Sequence, residues 1–434
     1  MNTENLSLVS WKNFKFAGAF RLPKNKDLLE DQTYTPGRGG IEIGETSETM
    51  FVRGFKKVQG KKKMAWGEVV IPVLDSNITA MSELPRADVI QDMVDVESNI
   101  NKYDEKANRM LHAYYIDGGL LCNLIEQYDA NKPNEYFLAR VKNAHNLADS
   151  EVDGLFKVDG KYLAAGWMGE LPDKWKQSLG ATHFMGNAHK FSIVGRASSG
   201  PTFFTCNLDG VMSADLSTGL RTEELLCYRN SERKSLFATK YPELTEKYGF
   251  QEMHYNITEI REDTDPNTKS LSVDYPNQAP PAGNDIWTIL SKVGTGFVVG
   301  DTYVCLGSSA GHEHGIGYRI KNDHGYQSSG PLPYIQDDTS QFYWLFDMND
   351  LVRVKKAEIE PHEVLPYEYG PFKTPLTGLS KFAGQDGRHP VIGGTFDPIC
   401  KRVYIPLRGA DGYKPVIVAY DVGAGEMFAD QVKI

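Results

Sequence analysis

The sequence predicts an all-β chain folded as a β-propeller of five blades, each of four antiparallel strands. Three observations carry this. A strand–turn–strand pattern recurs along the chain, each copy is followed by a further apolar strand, and an isolated strand near the N-terminus can complete the last sheet. With 434 residues, 41 of them glycine and 42 tyrosine or phenylalanine, the chain has the turns and the strand formers such a ring needs.

The pattern is clearest in residues 391–422, VIGGTFDPICKRVYIPLRGADGYKPVIVAYDV. Asp397-Pro398 ends a first strand, Arg402 to Leu407 forms a second, and Gly409, Asp411 and Gly412 turn the chain into a third, Pro415 to Asp421. Residues 39–55 repeat the Gly-Gly start and re-enter a strand at Met50-Phe51-Val52. Residues 152–168, 293–309 and 115–128 have a related shape and complete the set of five inner pairs. The third strands expected behind them are Trp66 to Val73, Tyr136 to Val141, Phe203 to Leu208, Phe342 to Met348 and Val416 to Asp421. Phe14 to Phe20 is left to join the sheet containing 402–421, which ties both ends of the chain into one blade. The whole of 1–434 is read as one domain, with insertions at about 76–110 and 215–285. The first insertion, with Val89, Ile90, Met93, Val94 and Val96, is expected to hold a short helix, and in the second TEELLCYRNSERKSLFATKYPELTEKYGF (222–250) is helix-compatible too.

Composition narrows the function. The net charge is −10, which argues against broad phosphate-backbone binding, and Lys56 to Lys63 reads as a solvated hairpin turn. No apolar run approaches a membrane span. The five cysteines are scattered with no CxxC, so buried free thiols are expected, with no disulfide framework. The N-terminus lacks the basic start and apolar core of a secretion signal, so the expectation is synthesis in the cytosol, with release in a particle on lysis as a way out.

Candidate site residues lie where loops meet the channel. In GHEHGIGYR, His312 and His314 are two apart beside glycines that let a backbone approach a ligand, and Tyr318 follows. His-x-His could supply two metal ligands, with Glu313 or His324 as a third, but no metal or other cofactor is assigned. In THFMGNAHKFSIVGRASSGP, His183, His189 and Arg196 cluster. Arg196 could pair with a sugar carboxylate while a histidine or tyrosine moves a proton, as a polysaccharide lyase requires, so the catalytic candidates are His189, Arg196, His314 and Tyr318. Trp167 and Trp175 are candidate stacking platforms for a sugar. Arg388 and His389 precede the inner strand at 391–397 and should reach the channel mouth. The acids on or beside inner strands are Glu42, Asp153 and Asp397, which form no three-acid set in the sequence.

Five phrases, WMGELPDKW (167–175), FSIVGRASSGP (191–201), GSSAGHEHGIGYRI (307–320), YWLFDMNDLVRVK (343–355) and IGGTFDPICKRVYI (392–405), together resemble a group of bacterial and phage-borne β-propeller proteins without a settled activity. The plan is more distantly similar to the five-bladed glycosidase propellers and to propeller polysaccharide lyases, a likeness of fold alone. The sequence therefore points first to a non-catalytic recognition or assembly propeller that binds a glycan or a protein surface, such as a virion or adhesin component, in a larger particle or a homo-oligomer. The alternative is a carbohydrate-active enzyme, a polysaccharide lyase ahead of a glycoside hydrolase.

Overall fold

A computed structural model gives the architecture. It describes residues 8–24, 32–34, 40–96, 98, 100, 109–126, 135–160, 163–189, 200–228, 286–288, 290–313, 316–318, 322–326, 331–380 and 389–423.

The chain is a five-bladed propeller. After β1 (Phe14–Arg21), the first blade runs from β3 (Ile41–Ile43) through β4 (Thr49–Val58) and β5 (Lys61–Val70) to β6 (Val89–Asp95), and short β2 (Gln32–Tyr34) shares the inner edge of β4. The second blade is β7 (Arg109–Ile116), β8 (Gly119–Ile125), β9 (Tyr136–Val141) and β10 (Val152–Asp159). The third is β11 (Met168–Glu170), β12 (His183–Met185), β13 (Phe203–Cys206) and, past the two-residue β14 (Leu220–Arg221) on the edge of β10, β15 (Glu223–Leu226). The fourth is β16 (Lys292–Val299), β17 (Thr302–Ala310), β20 (Thr339–Asp347) and β21 (Glu368–Phe372), with a β18 (Ile316–Tyr318) and β19 (Pro331–Pro333) hairpin between its second and third strands. The fifth is β22 (Thr395–Asp397), β23 (Arg402–Asp411), β24 (Lys414–Val422) and β1.

The terminal clasp expected from Phe14 to Phe20 is present: β1 pairs antiparallel with β24 from Phe14↔Val422 to Arg21↔Val416. Asp411 reinforces it. Its carboxylate takes two hydrogen bonds from Arg21 and one from Arg86, the latter reaching across from the β5–β6 connection. The inner strands close a second ring at the axis, in which β3 lies beside β7, β7 beside β11, β11 beside β16, β16 beside β22 and β22 beside β3.

A blade in a ring is covered on both faces, so its middle strands bury every residue in place of alternating, as β8 and β17 do. The apolar core is accordingly layered between blades. Phe51 and Trp66 meet Met110 and Leu120 between the first and second. Phe297 and Val304 meet Val403 and Val418 between the fourth and fifth, and Phe20 and Ala419 meet Met50 and Val52 across the clasp.

Three sequence expectations are corrected. The segment Val89–Asp95 is strand β6, not helix, because its Met93 is needed in the layer shared with the fifth blade. Residues 152–168 are not an inner pair. Val152–Asp159 is the outer strand of the second blade, and the third blade starts at Met168. In the second insertion, 220–221 and 223–226 are strand residues, and 229–285 lie outside the described residues. The turn within Lys56 to Lys63 is a hairpin as expected, with Gln59 and Gly60 both at positive φ. Cys122, Cys206, Cys227 and Cys305 are buried free thiols, while Cys400 is exposed. Among the described residues no helix is long and apolar enough to cross a membrane.

Candidate functional site

The five inner strands surround a cavity of about 490 Å³ on the axis. Its lining draws on β3 (Glu42), β7 (His112, Tyr114, Tyr115), β11 (Met168, Glu170), β16 (Thr295, Phe297) and β22 (Thr395, Phe396). It opens beside the turns that leave β3, β11 and β22, where Glu45, Asp173 and Ile399 stand.

Glu42 is the chemically unusual group. It is buried at the centre of a three-residue strand whose neighbours Ile41 and Ile43 point the other way. Its Oε1 accepts the amide N–H of Tyr115 at 3.1 Å and its Oε2 accepts the hydroxyl of Thr395 at 2.9 Å, so strands on either side of β3 hold the carboxyl still. Burial pushes its pKa up to about 8, and the two hydrogen bonds oppose that only in part. Glu42 thus holds its proton well above the pH at which an ordinary carboxyl loses it.

Tyr114 on β7 lines the cavity with both Glu42 and Glu170. Burial raises its phenol well above the ordinary value, and the charges of Glu42 and then Glu170 raise it further. Glu170, at the end of β11, is exposed and paired with Lys176 at 2.6 Å. Lys176 also reaches Asp173 at 2.9 Å, from the short helix α1 (Asp173–Leu179). The cavity thus carries a protonated acid at its floor and a lysine-paired carboxylate at its rim.

The walls are aromatic. Trp167 donates its Nε1–H to Tyr303 Oη at 2.9 Å, and Tyr303 donates to the carbonyl of Thr202 at 2.7 Å. Phe297 and Phe396 stack at 4.3 Å between centroids. Gly296 makes room for this wall, since a Cβ there would lie 2.5 Å from Tyr303 Oη and 2.6 Å from Trp167 Nε1.

Of the residues singled out in the sequence, Trp167, Glu42 and Asp397 line the cavity. Trp175 does not. It is buried in α1 with Nε1–H donating to the carbonyl of Gly300, so it anchors that helix. His183 is buried beside the Thr182 hydroxyl at 2.8 Å, and burial lowers its pKa. His189 is buried with its amide on Asn187 Oδ1. His312 pairs with Ser309 Oγ at 2.6 Å and stacks on Phe342 at 5.0 Å. His389 is buried, with Nδ1 at 2.7 Å from the carbonyl of Arg408. None of these four histidines lines the cavity among its described residues. Arg196, His314 and Arg388 lie outside the described residues, as does the side chain of Tyr318. Asp153 is ion-paired to Arg140 at 2.6 Å, and Asp397 accepts the amides of Ile399 and Cys400 as a turn residue. No group of three metal-ligating side chains occurs among the described residues.

Sequence reasoning missed Tyr114, Glu170 and Thr395. Glu170 stands two residues beyond the 152–168 unit, so placing that unit at the axis hid the true inner strand behind it. Thr395 was legible in principle, because it directly follows the Gly-Gly start of an inner strand, as Ile41 does.

No family profile and no curated protein matches the chain. Solved structures do match over nearly the whole length at low identity. One belongs to the GH130 family, described as mannoside phosphorylases containing glycoside hydrolases that target β-1,2 mannosidic linkages in Candida mannan, with 11% identity, TM-score 0.39 and 95% of each chain covered. A glycosyl hydrolase from Bacteroides ovatus has 12% identity, TM-score 0.39, and 93% of this chain and 94% of that one covered. The α-L-arabinofuranosidase of Podospora anserina in complex with cellotriose has 7% identity, TM-score 0.37, and 95% and 98% covered. These matches run against the expectation of a non-catalytic recognition or assembly propeller, and a virion setting has no support among them. That expectation is withdrawn, and the chemistry of the cavity has to decide what replaces it.

Proposed function

We propose that the chain is a carbohydrate-active enzyme of the glycoside hydrolase type, working in the axial cavity with Glu42 as proton donor. The observation that carries this is the state of Glu42: a buried carboxyl, fixed from two neighbouring strands, that keeps its proton to about pH 8 while facing a cavity walled by aromatic rings. Glycosidic bond cleavage needs a carboxylic acid to protonate the leaving oxygen and a second carboxylate to activate water or stabilise the oxocarbenium-like centre. Glu170, a second lining carboxylate, paired with Lys176, is assigned that second role. Tyr114, whose hydroxyl is hydrogen-bonded to the Glu170 backbone, holds the sugar. Trp167 and the Phe297–Phe396 stack supply an apolar surface for the sugar's carbon face.

A lyase mechanism fits the cavity less well. It needs a cation at the substrate carboxylate, and the described lining contains neither lysine nor arginine.

The test is hydrolysis of a panel of aryl glycosides with leaving groups of graded acidity. Glu42→Gln should lower the rate about 10²–10⁴-fold on poor leaving groups. The loss should shrink on nitrophenolates, which depart without a proton. An equal loss on all leaving groups would remove Glu42 from the acid role. No turnover of any glycoside by the wild type would overturn the reading.

A further inference from the structure

We infer that the axial cavity discriminates its sugar by charge, taking amino-bearing or uncharged sugar residues and rejecting uronic, sialic and phosphorylated ones. This rests on the glycoside hydrolase reading and names the substrate class of that same site.

The inference comes from the complete set of described lining residues. Five carry carboxyl groups, Glu42, Glu45, Glu170, Asp173 and Asp397, and none is lysine or arginine. Among the described residues, the two lysines of α1, the helix that brings Asp173 to the lining, are already engaged. Lys176 is shared between Glu170 and Asp173 at 2.6 and 2.9 Å, and Lys174 is bound to Asp301. His145 lies 3.8 Å from Glu45 and faces solvent. One lysine facing two rim carboxylates leaves a negative balance at the mouth, and Glu45 adds to it. Among the described residues, a carboxylate or phosphate on the ligand would enter among like charges and find no lysine or arginine of the lining to replace its hydration, which opposes its entry. An ammonium group would find acceptors at the rim.

The size of the cavity bears on where that charge falls. At about 490 Å³ it suits a ligand of about two sugar rings, so a substituent on a terminal sugar stays within reach of Glu45, Glu170 or Asp173. The aromatic walls distinguish poorly between sugars of equal shape, which leaves charge as the main discriminator.

The experiment uses the full chain carrying Glu42→Gln, so that binding is measured without turnover. Matched sets of phenyl glycosides are compared by calorimetry: glucosaminide, glucoside and glucuronide, and the corresponding galacto set, at low and high salt. The expected result is tighter binding of the amino sugar than of the uronate by about tenfold or more at low salt, a gap that narrows at high salt and in Glu45→Gln and Asp173→Asn. A uronate that binds as tightly as the amino sugar, or tighter, would overturn the inference, as would a cavity that binds neither in either set. Because binding is read on an inactive variant, failure of the charge ranking is distinguishable from failure of the hydrolase reading, which the aryl glycoside panel tests on the wild type.

Discussion

The amide of Tyr115 on β7 and the carboxyl of Glu42 on β3 are joined across a blade boundary by a 3.1 Å hydrogen bond. Tyr115 and Tyr114 are adjacent on one strand, so their side chains point to opposite faces, and the backbone that fixes Glu42 also presents Tyr114 to the cavity. Blade packing and site geometry are therefore one arrangement. What disturbs the contact between the first and second blades also moves the acid.

Glu42 makes stability depend on pH. With its folded pKa near 8 against an ordinary 4.5, the folded chain keeps a proton that the unfolded chain releases once pH exceeds about 4.5. Stability contributed by this group is thus fully present below pH 4.5, falls as pH rises and levels off above about 8. Glu42→Gln should remove this slope, roughly 1.4 kcal/mol per pH unit at its steepest. The comparison is urea unfolding of both proteins from pH 5 to 9, in which the variant gains on the wild type as pH rises.

Thr395 tunes the same group. Its hydroxyl donates to Glu42 Oε2 and lowers the carboxyl pKa against the effect of burial. Thr395→Val should move the Glu42 titration upward and cost about 1 kcal/mol of stability. In a pH–rate profile the basic limb would shift to higher pH, which a purely structural loss would not produce.

The aromatic wall depends on Gly296. In Gly296→Ala the new methyl would collide with Tyr303 Oη and Trp167 Nε1 and break their hydrogen bond. The expected outcome is a loss of about 1–3 kcal/mol with weaker ligand binding, measured by thermal unfolding and calorimetry. Gly370→Ala, in strand β21 where an added Cβ would stay 3.6 Å or more from its neighbours, tests whether the effect is specific to the wall.

Closure of the ring depends on Asp411. Burial alone would raise its pKa, but hydrogen bonding and charge from Arg21, with Lys414 and Arg86, lower it below the usual carboxylate value. Its contribution is therefore present at neutral pH and lost as pH falls through that lowered value. Asp411→Asn, which leaves the cations without their counter-charge, should destabilise the chain by about 3 kcal/mol, and the deficit should fade on acidification. Chemical denaturation at neutral and acid pH reads both effects.

Architecture was legible because it depends on local patterns. Gly-Gly starts and Asp-Gly turns mark hairpins, and β1 has no partner nearby in the chain, so the clasp with β24 could be inferred. Two kinds of information were not local. Val89–Asp95 carries apolar residues at spacings that a helix also permits, and only burial against the fifth blade makes it a strand. The site is assembled from single residues on five strands, among which Glu42, Tyr114, Glu170 and Thr395 are far apart in sequence and carry no shared motif. Histidine clusters drew attention because they are dense in sequence, yet His183, His312 and His389 are held by neighbouring groups away from the cavity. Glu42 stood out only as an acid on an inner strand. Its proton is a consequence of burial, which a sequence does not display.

The most direct test of the central claim is the pH dependence of kcat/KM for aryl glycoside hydrolysis by the wild type and Glu42→Gln. The account predicts a basic limb near pH 8 in the wild type, and a variant that is slower on poor leaving groups and lacks that limb. A variant that keeps the wild-type rate and the same limb would contradict it.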